Sequence, residues 1–106
     1  MPVIQVTAPK DADYERDAAR LKHLCGQVAA ALGLPLSGVI AVLSDAVMTS
    51  SGHGIVTAWP LAVIHGSDRG HQSQALDAAA EALAEGWGVP RKEVWVEWAG
   101  FRPAGE

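Results

Sequence analysis

A chain of 106 residues has the length of one domain, and 49% hydrophobic against 19% charged residues is the balance of a chain that packs a core, which excludes intrinsic disorder. The formal net charge is −4 and the eight Lys and Arg are scattered, so there is no basic stripe to attract a phosphate backbone and nucleic-acid binding is excluded. Apolar runs fall far short of the roughly 20 residues that span a bilayer, no signal-like segment opens the chain, and Cys25 has no second cysteine to pair with; no membrane association and a cytoplasmic location are expected.

The chain opens MPVIQV, and alternation predicts a first strand over Val3–Thr7. Proline has no amide hydrogen to give a sheet and is tolerated at a strand's first position. The polar stretch APKDADYERD leads into a helix whose inward stripe is read as Ala18, Leu21, Cys25, Val28 and Leu32, ended by Gly33 and Pro35. VIAVL, Val39–Leu43, is a continuous apolar run and is read as a strand buried on both faces. The Gly/Ser-rich MTSSGHG leads into Ile55–His65, interrupted by Pro60. A second helix carries Leu76, Ala79, Ala80, Leu83 and Trp87 on one face and is closed by Gly88 and Pro90, and VWVEW, Val94–Trp98, is the last strand.

Leu21–Leu43 aligned on Leu76–Trp98 brings leucine, glycine, proline and valine into coincidence at 21/76, 33/88, 35/90 and 39/94, while PVIQVT lies over PLAVIH. This is the mark of an internal duplication of one βαβ unit. A single α/β (α+β) domain over residues 1–106 is expected, with half-repeats over about 2–50 and 58–100 and a four-stranded sheet carrying two helices on one face. Strands apolar on both sides would leave the other face uncovered, and self-association is the expected remedy.

The proline behind Met1, the duplicated βαβ unit and SDAVMTSSGHG together resemble the tautomerase superfamily, and within it the macrophage migration inhibitory factor and D-dopachrome tautomerase branch. The resemblance implies a homotrimer with sheets around a central axis, active sites at subunit boundaries, and the terminal proline as catalytic base or acid. A small residue after Met1 permits removal of the methionine, which leaves Pro2 a free secondary amine; Pro60, its counterpart, is an internal amide. Burial against Trp95, Trp98, Val39 and Phe101 would lower the amine's proton affinity toward neutrality and suit it to keto–enol proton transfer. If Met1 persists, Pro2 is acylated and cannot act as a base.

Arg69, in HGSDRG, resembles the arginine of the dehalogenase and decarboxylase branches and is a candidate to hold a substrate carboxylate, or else a solvated loop cation. Lys10 is a second candidate cation, and His65, at a strand end near Arg69, a third substrate-binding candidate. The branch's lysine before its first G-x-P proline is replaced by Leu34, and its tyrosine and asparagine on the last strand by Trp95 and Glu97. These departures prevent carrying over a phenylpyruvate-type or dopachrome-type substrate. Glu97 is either an acid or water-activating group between aromatic neighbours or an exposed strand charge.

His23, His53, His65 and His71 have no zinc-like spacing, and no phosphate loop or nucleophile elbow is present, so no metal or other cofactor is expected. Three functions fit: an isomerase with Pro2 as proton shuttle on a small keto or enol substrate; a Pro2/Glu97-dependent hydratase, dehalogenase or decarboxylase of a small unsaturated or keto acid; and a non-catalytic binding relative.

Overall fold

Alternating β-branched and polar residues make Val3–Ala8 the first strand, β1, in a computed structural model that describes residues 1–56, 58–67 and 70–100. There follow helix α1 (Tyr14–Leu32), strand β2 (Ile40–Asp45), the short strands β3 (Thr49–Ser51) and β4 (Gly54–Val56), strand β5 (Leu61–His65), helix α2 (Gln72–Trp87) and strand β6 (Trp95–Ala99). β1 is parallel to β2 and antiparallel to β5, and β5 is parallel to β6, giving one sheet in the order β2-β1-β5-β6. A parallel pair needs a crossover, and α1 and α2 supply one each. Ile4, Val6, Ala62 and Ile64 of the sheet are buried under Leu24, Val28, Leu32, Ala75, Ala79 and Leu83 of the helices, so both helices cover the same face, as expected.

The two helices end alike. Gly33 and Gly88 adopt left-handed conformations, with φ of 68° and 64°, a geometry that costs any residue with a Cβ. Pro35 and Pro90 then start one turn of 3-10 helix, at Leu36–Gly38 and Arg91–Glu93, that feeds β2 and β6. The strand starts match as well: Ile40 donates its amide to the Pro2 carbonyl and Trp95 donates to the Pro60 carbonyl, each at 3.1 Å.

Three expectations are corrected. β2 is not buried on both faces: it is a sheet edge, and Ile40 and Val42 are 46% and 48% exposed because the face they occupy carries no helix. The Gly/Ser-rich passage is not only a connector, since β3 and β4 pair as a separate antiparallel hairpin. In α1 the buried stripe is Asp17, Leu24, Val28, Ala29 and Leu32, and Ala18 is exposed. Asp17 takes the inward place because Arg20 neutralises it at 3.0 Å. The same guanidinium reaches Asp11 at 3.2 Å and the Gly86 carbonyl of α2 at 2.7 Å, and lies 5.4 Å from the centre of the Trp87 ring. A buried carboxylate is tolerated only when paired in this way.

Candidate functional site

The register fixes what shares the helix-free face of the sheet. One row runs Ile40, Val3, His65, Ala99; the next Val42, Gln5, Val63, Glu97; the third Ser44, Thr7, Leu61, Trp95. Ile40, Val42, Leu61 and Trp95 make this face largely apolar and exposed in the single chain. Pro2 stands one residue before the first row.

Pro2 is buried although Met1, before it, is 62% exposed. Its carbonyl accepts from Ile40, while its nitrogen, having no hydrogen, is not used by the sheet. Across from it the chain leaves β5 through Gly66, which is buried and whose amide donates to the Ala99 carbonyl at 3.1 Å. A Cβ at position 66 would meet the Trp98 ring at 3.2 Å and Cβ of Pro2 at 3.5 Å. Pro2, Gly66 and Trp98 therefore form one packed corner. Val39, expected beside Pro2, is buried and directly precedes Ile40, the residue that holds the Pro2 carbonyl.

His65 lies opposite Val3, at this same end of the sheet. Its Nε2 is 2.6 Å from Oε1 of Gln5, toward the middle of the open face, so the ring is held by a neighbouring side chain.

Trp95, Glu97 and Lys10 do not join Pro2 within one chain. Trp95 pairs with Leu61, which pairs with Thr7, five residues along β1 from Pro2 and about 17 Å away at ~3.4 Å per residue. Glu97 lies in the middle row, two strands from β1. Both are exposed and line a groove of about 390 Å³ with Leu61 and Val63. Lys10 is exposed beyond the far end of β1, where its backbone amide donates to Oδ1 of Asp45 at 3.0 Å. Arg69 and Phe101 lie outside the described residues. Among the described residues no group of three His, Cys, Asp or Glu is arranged to hold a metal ion, and no helix is long and apolar enough to cross a membrane.

Gly66 and Gln5 escaped the sequence reading. Gly66 was visible as a glycine ending a strand, a sign of close approach. Gln5 was visible as the one amide in an otherwise apolar MPVIQV.

Among solved structures, a fused 4-OT superposes with a TM-score of 0.84 at 18% identity, over 98% of this chain and 94% of that one. A macrophage migration inhibitory factor-like protein from Entamoeba histolytica gives 0.80 at 15% identity, covering 98% of this chain and 91% of the other. The chain has the tautomerase-superfamily fold. A third structure with this fold, solved after inactivation by 2-oxo-3-pentynoate, gives 0.81 at 19% identity over 98% of this chain and 89% of that one. Neither a protein-family model nor a curated sequence matches the chain. The tautomerase resemblance, read from a proline, a duplicated βαβ unit and the SDAVMTSSGHG passage, therefore holds at the level of the fold.

Proposed function

We propose that this tautomerase-fold chain is a cofactor-independent isomerase that moves a proton on a small keto or enol substrate through the amine of Pro2, freed by removal of Met1. The observation that carries this reading is the corner at the head of β1. Pro2 is buried, fixed by its carbonyl to Ile40, and backed by Gly66 and the Trp98 ring. An amine in apolar surroundings loses proton affinity because its ammonium form is poorly solvated, which brings a terminal secondary amine toward the working pH of a proton shuttle. The neutral amine takes a proton from the enol oxygen or the carbon beside the carbonyl, becomes an ammonium, and returns the proton to the other site, so amine and atom count are restored at each turnover. Pro60, in the matching place, is an internal amide and has no such capacity.

The active assembly is a homotrimer in this reading. Solved neighbours of the same fold include fused 4-OT trimers, and the open face of this chain, with Ile40, Val42, Leu61 and Trp95, calls for a cover. Assembly also bears on the site. Pro2 and His65 lie at one end of the sheet and Trp95 and Lys10 at the other, so these groups meet only when one protomer supplies the first pair and its neighbour the second. Arg69 is the proposed partner for a substrate carboxylate, and a lone Cys25 fits a cytoplasmic protein.

A second reading rests on the groove between Glu97 and Trp95, where a carboxylate on an aromatic-lined surface would activate water for hydration, dehalogenation or decarboxylation of a small unsaturated acid. Enol ketonisation by the native protein and by Pro2→Ala separates the readings. The first expects a loss of about a hundredfold or more, the usual scale for removing a general base. Unchanged ketonisation, or turnover of halogenated acrylates lost only in Glu97→Gln, would contradict it.

A further inference from the structure

Trp95 and Glu97 alternate along β6 and so project from the same helix-free face, about 7 Å apart along the strand. Their cross-strand partners on β5 are Leu61 and Val63. The four side chains form a square, with an indole and a carboxylate along one edge and two aliphatic groups along the other. They line the groove of about 390 Å³, a volume within the roughly 300–1,000 Å³ of small-molecule sites. Because β6 is the last strand of the sheet, the groove opens at an edge.

The groove holds one charge, and nothing in the described chain answers it. Among the described residues the Glu97 carboxylate makes no ion pair and accepts no hydrogen bond. The three rows of this face contain no lysine or arginine. His65 stands diagonal to Glu97 across β5 and β6, but its ring is turned the other way, to Gln5 of β1 at 2.6 Å. Arg91, shortly before β6, is taken by Asp77 at 2.6 Å, and neither it nor Lys92 lines the groove. Trp95 is 67% exposed, so its ring is open to a ligand.

We propose that this groove is a binding site for an organic monocation, an ammonium carried on a short apolar stem. The ammonium lies between the Glu97 carboxylate and the face of the Trp95 indole, which attract positive charge by ion pairing and through the ring quadrupole. The stem lies on Leu61 and Val63, where both surfaces lose water. Charge complementarity selects this occupant. An anionic ligand is repelled by Glu97, and a neutral one leaves the carboxylate dehydrated with no partner. Here Glu97 is a counter-ion, a different task from activating water.

The test titrates the native protein by calorimetry at low salt with three probes of one shape: 2-phenylethylammonium, 2-phenylethanol and 3-phenylpropanoate. The ammonium is expected to bind about tenfold or more tightly than the alcohol, the scale of one ion pair with a cation–π contact, and the carboxylate not to bind. Glu97→Gln brings the ammonium down to the affinity of the alcohol and leaves the alcohol unchanged. Trp95→Leu, which keeps an apolar side chain, weakens the ammonium more than the alcohol, and added salt weakens the ammonium alone. Both positions are exposed, so the variants keep the fold, which far-UV circular dichroism verifies. Equal binding of ammonium and alcohol, a preference that survives Glu97→Gln, or no binding of any probe overturns the assignment. If no probe binds and Glu97→Gln alters sedimentation, a second copy of the chain is the occupant, and the assignment falls in the same way. None of these results bears on Pro2, whose role is read separately by ketonisation in Pro2→Ala.

Discussion

Ile40 donates its amide hydrogen to the Pro2 carbonyl over 3.1 Å, so the sheet holds residue 2 by its oxygen and makes no use of its nitrogen. The sheet and the proposed proton transfer thus draw on different atoms of one residue. Pro2→Ala is expected to keep the fold at a cost of about 1–2 kcal/mol, because alanine supplies the same carbonyl and Cβ and what is lost is the buried remainder of the ring together with its constraint on the unfolded chain. Equilibrium denaturation beside a ketonisation assay checks this. Loss of fold together with loss of activity would mean that the ring is a structural element.

Arg20 links three elements. It pairs with Asp11 and Asp17, donates to the Gly86 carbonyl and stacks near Trp87, whose Nε1 donates to the Pro9 carbonyl at 2.9 Å. Arg20→Met leaves the buried Asp17 carboxylate with only the Asp11 amide, and a loss of about 2 kcal/mol is expected for removing one partner of a part-buried charged network. Arg20→Lys recovers part of this, because a lysine lacks the planar fork that serves several acceptors. Urea denaturation of the two variants measures both.

Asp11 carries a carboxyl whose pKa is lowered, first because the Asp13 backbone amide donates to it and then through Arg20 and Arg16, with burial opposing. A lowered pKa means that its contribution to stability is present above the ordinary carboxylate value near 3.8 and is lost as pH falls through the lower folded value. Asp11→Asn is expected to be less stable than the native chain at neutral pH, with the difference closing below about pH 4. Denaturation midpoints across that range test it; a gap that widens on acidification contradicts the assignment.

Gly33 and Gly88 have open space where a Cβ would go, so substitution there meets backbone strain and no clash. Gly33→Ala is expected to cost about 1–2 kcal/mol and Gly33→Asn clearly less, since asparagine tolerates the left-handed region. Thermal unfolding of both variants gives the order.

Such helix stops were legible in the sequence because glycine and proline act locally: Gly33-x-Pro35 and Gly88-x-Pro90 each end a helix, as expected, and the 3-10 turn that follows each is added by the structure. Strand β6 and the inward face of α2 were legible for a similar reason, their periodicity being undisturbed by polar partners. The stripe of α1 was read one residue off at its start because Asp17 holds an inward place that its pairing with Arg20 makes tolerable, an i,i+3 pair within the helix that apolar periodicity does not register. VIAVL was read as doubly buried because hydrophobicity reports that a face must be covered and says nothing of whether a helix or another molecule covers it. The β3–β4 hairpin, three residues a strand and rich in Gly and Ser, is too short for alternation to register. Of the proposed site, Pro2 could be named from its place in the chain, whereas its closeness to Gly66 emerged only once β1, β5 and β6 were set side by side.

Val42 lies in the middle row of the open face and is 48% exposed in the single chain. Val42→Glu is expected to block assembly by placing a charge in a surface meant to be buried, giving monomers by analytical ultracentrifugation with the helix content retained. Catalysis falls with assembly if the site is shared between protomers; full activity in a monomer would place the whole site within one chain.

The mass of the intact mature protein tests the central claim most directly. The account predicts a chain lighter than the full sequence by one methionine residue, with Pro2 as the first residue on sequencing and the sole site of 2-oxo-3-pentynoate addition. A mature chain that still carries Met1, and so an amide at Pro2, would contradict it.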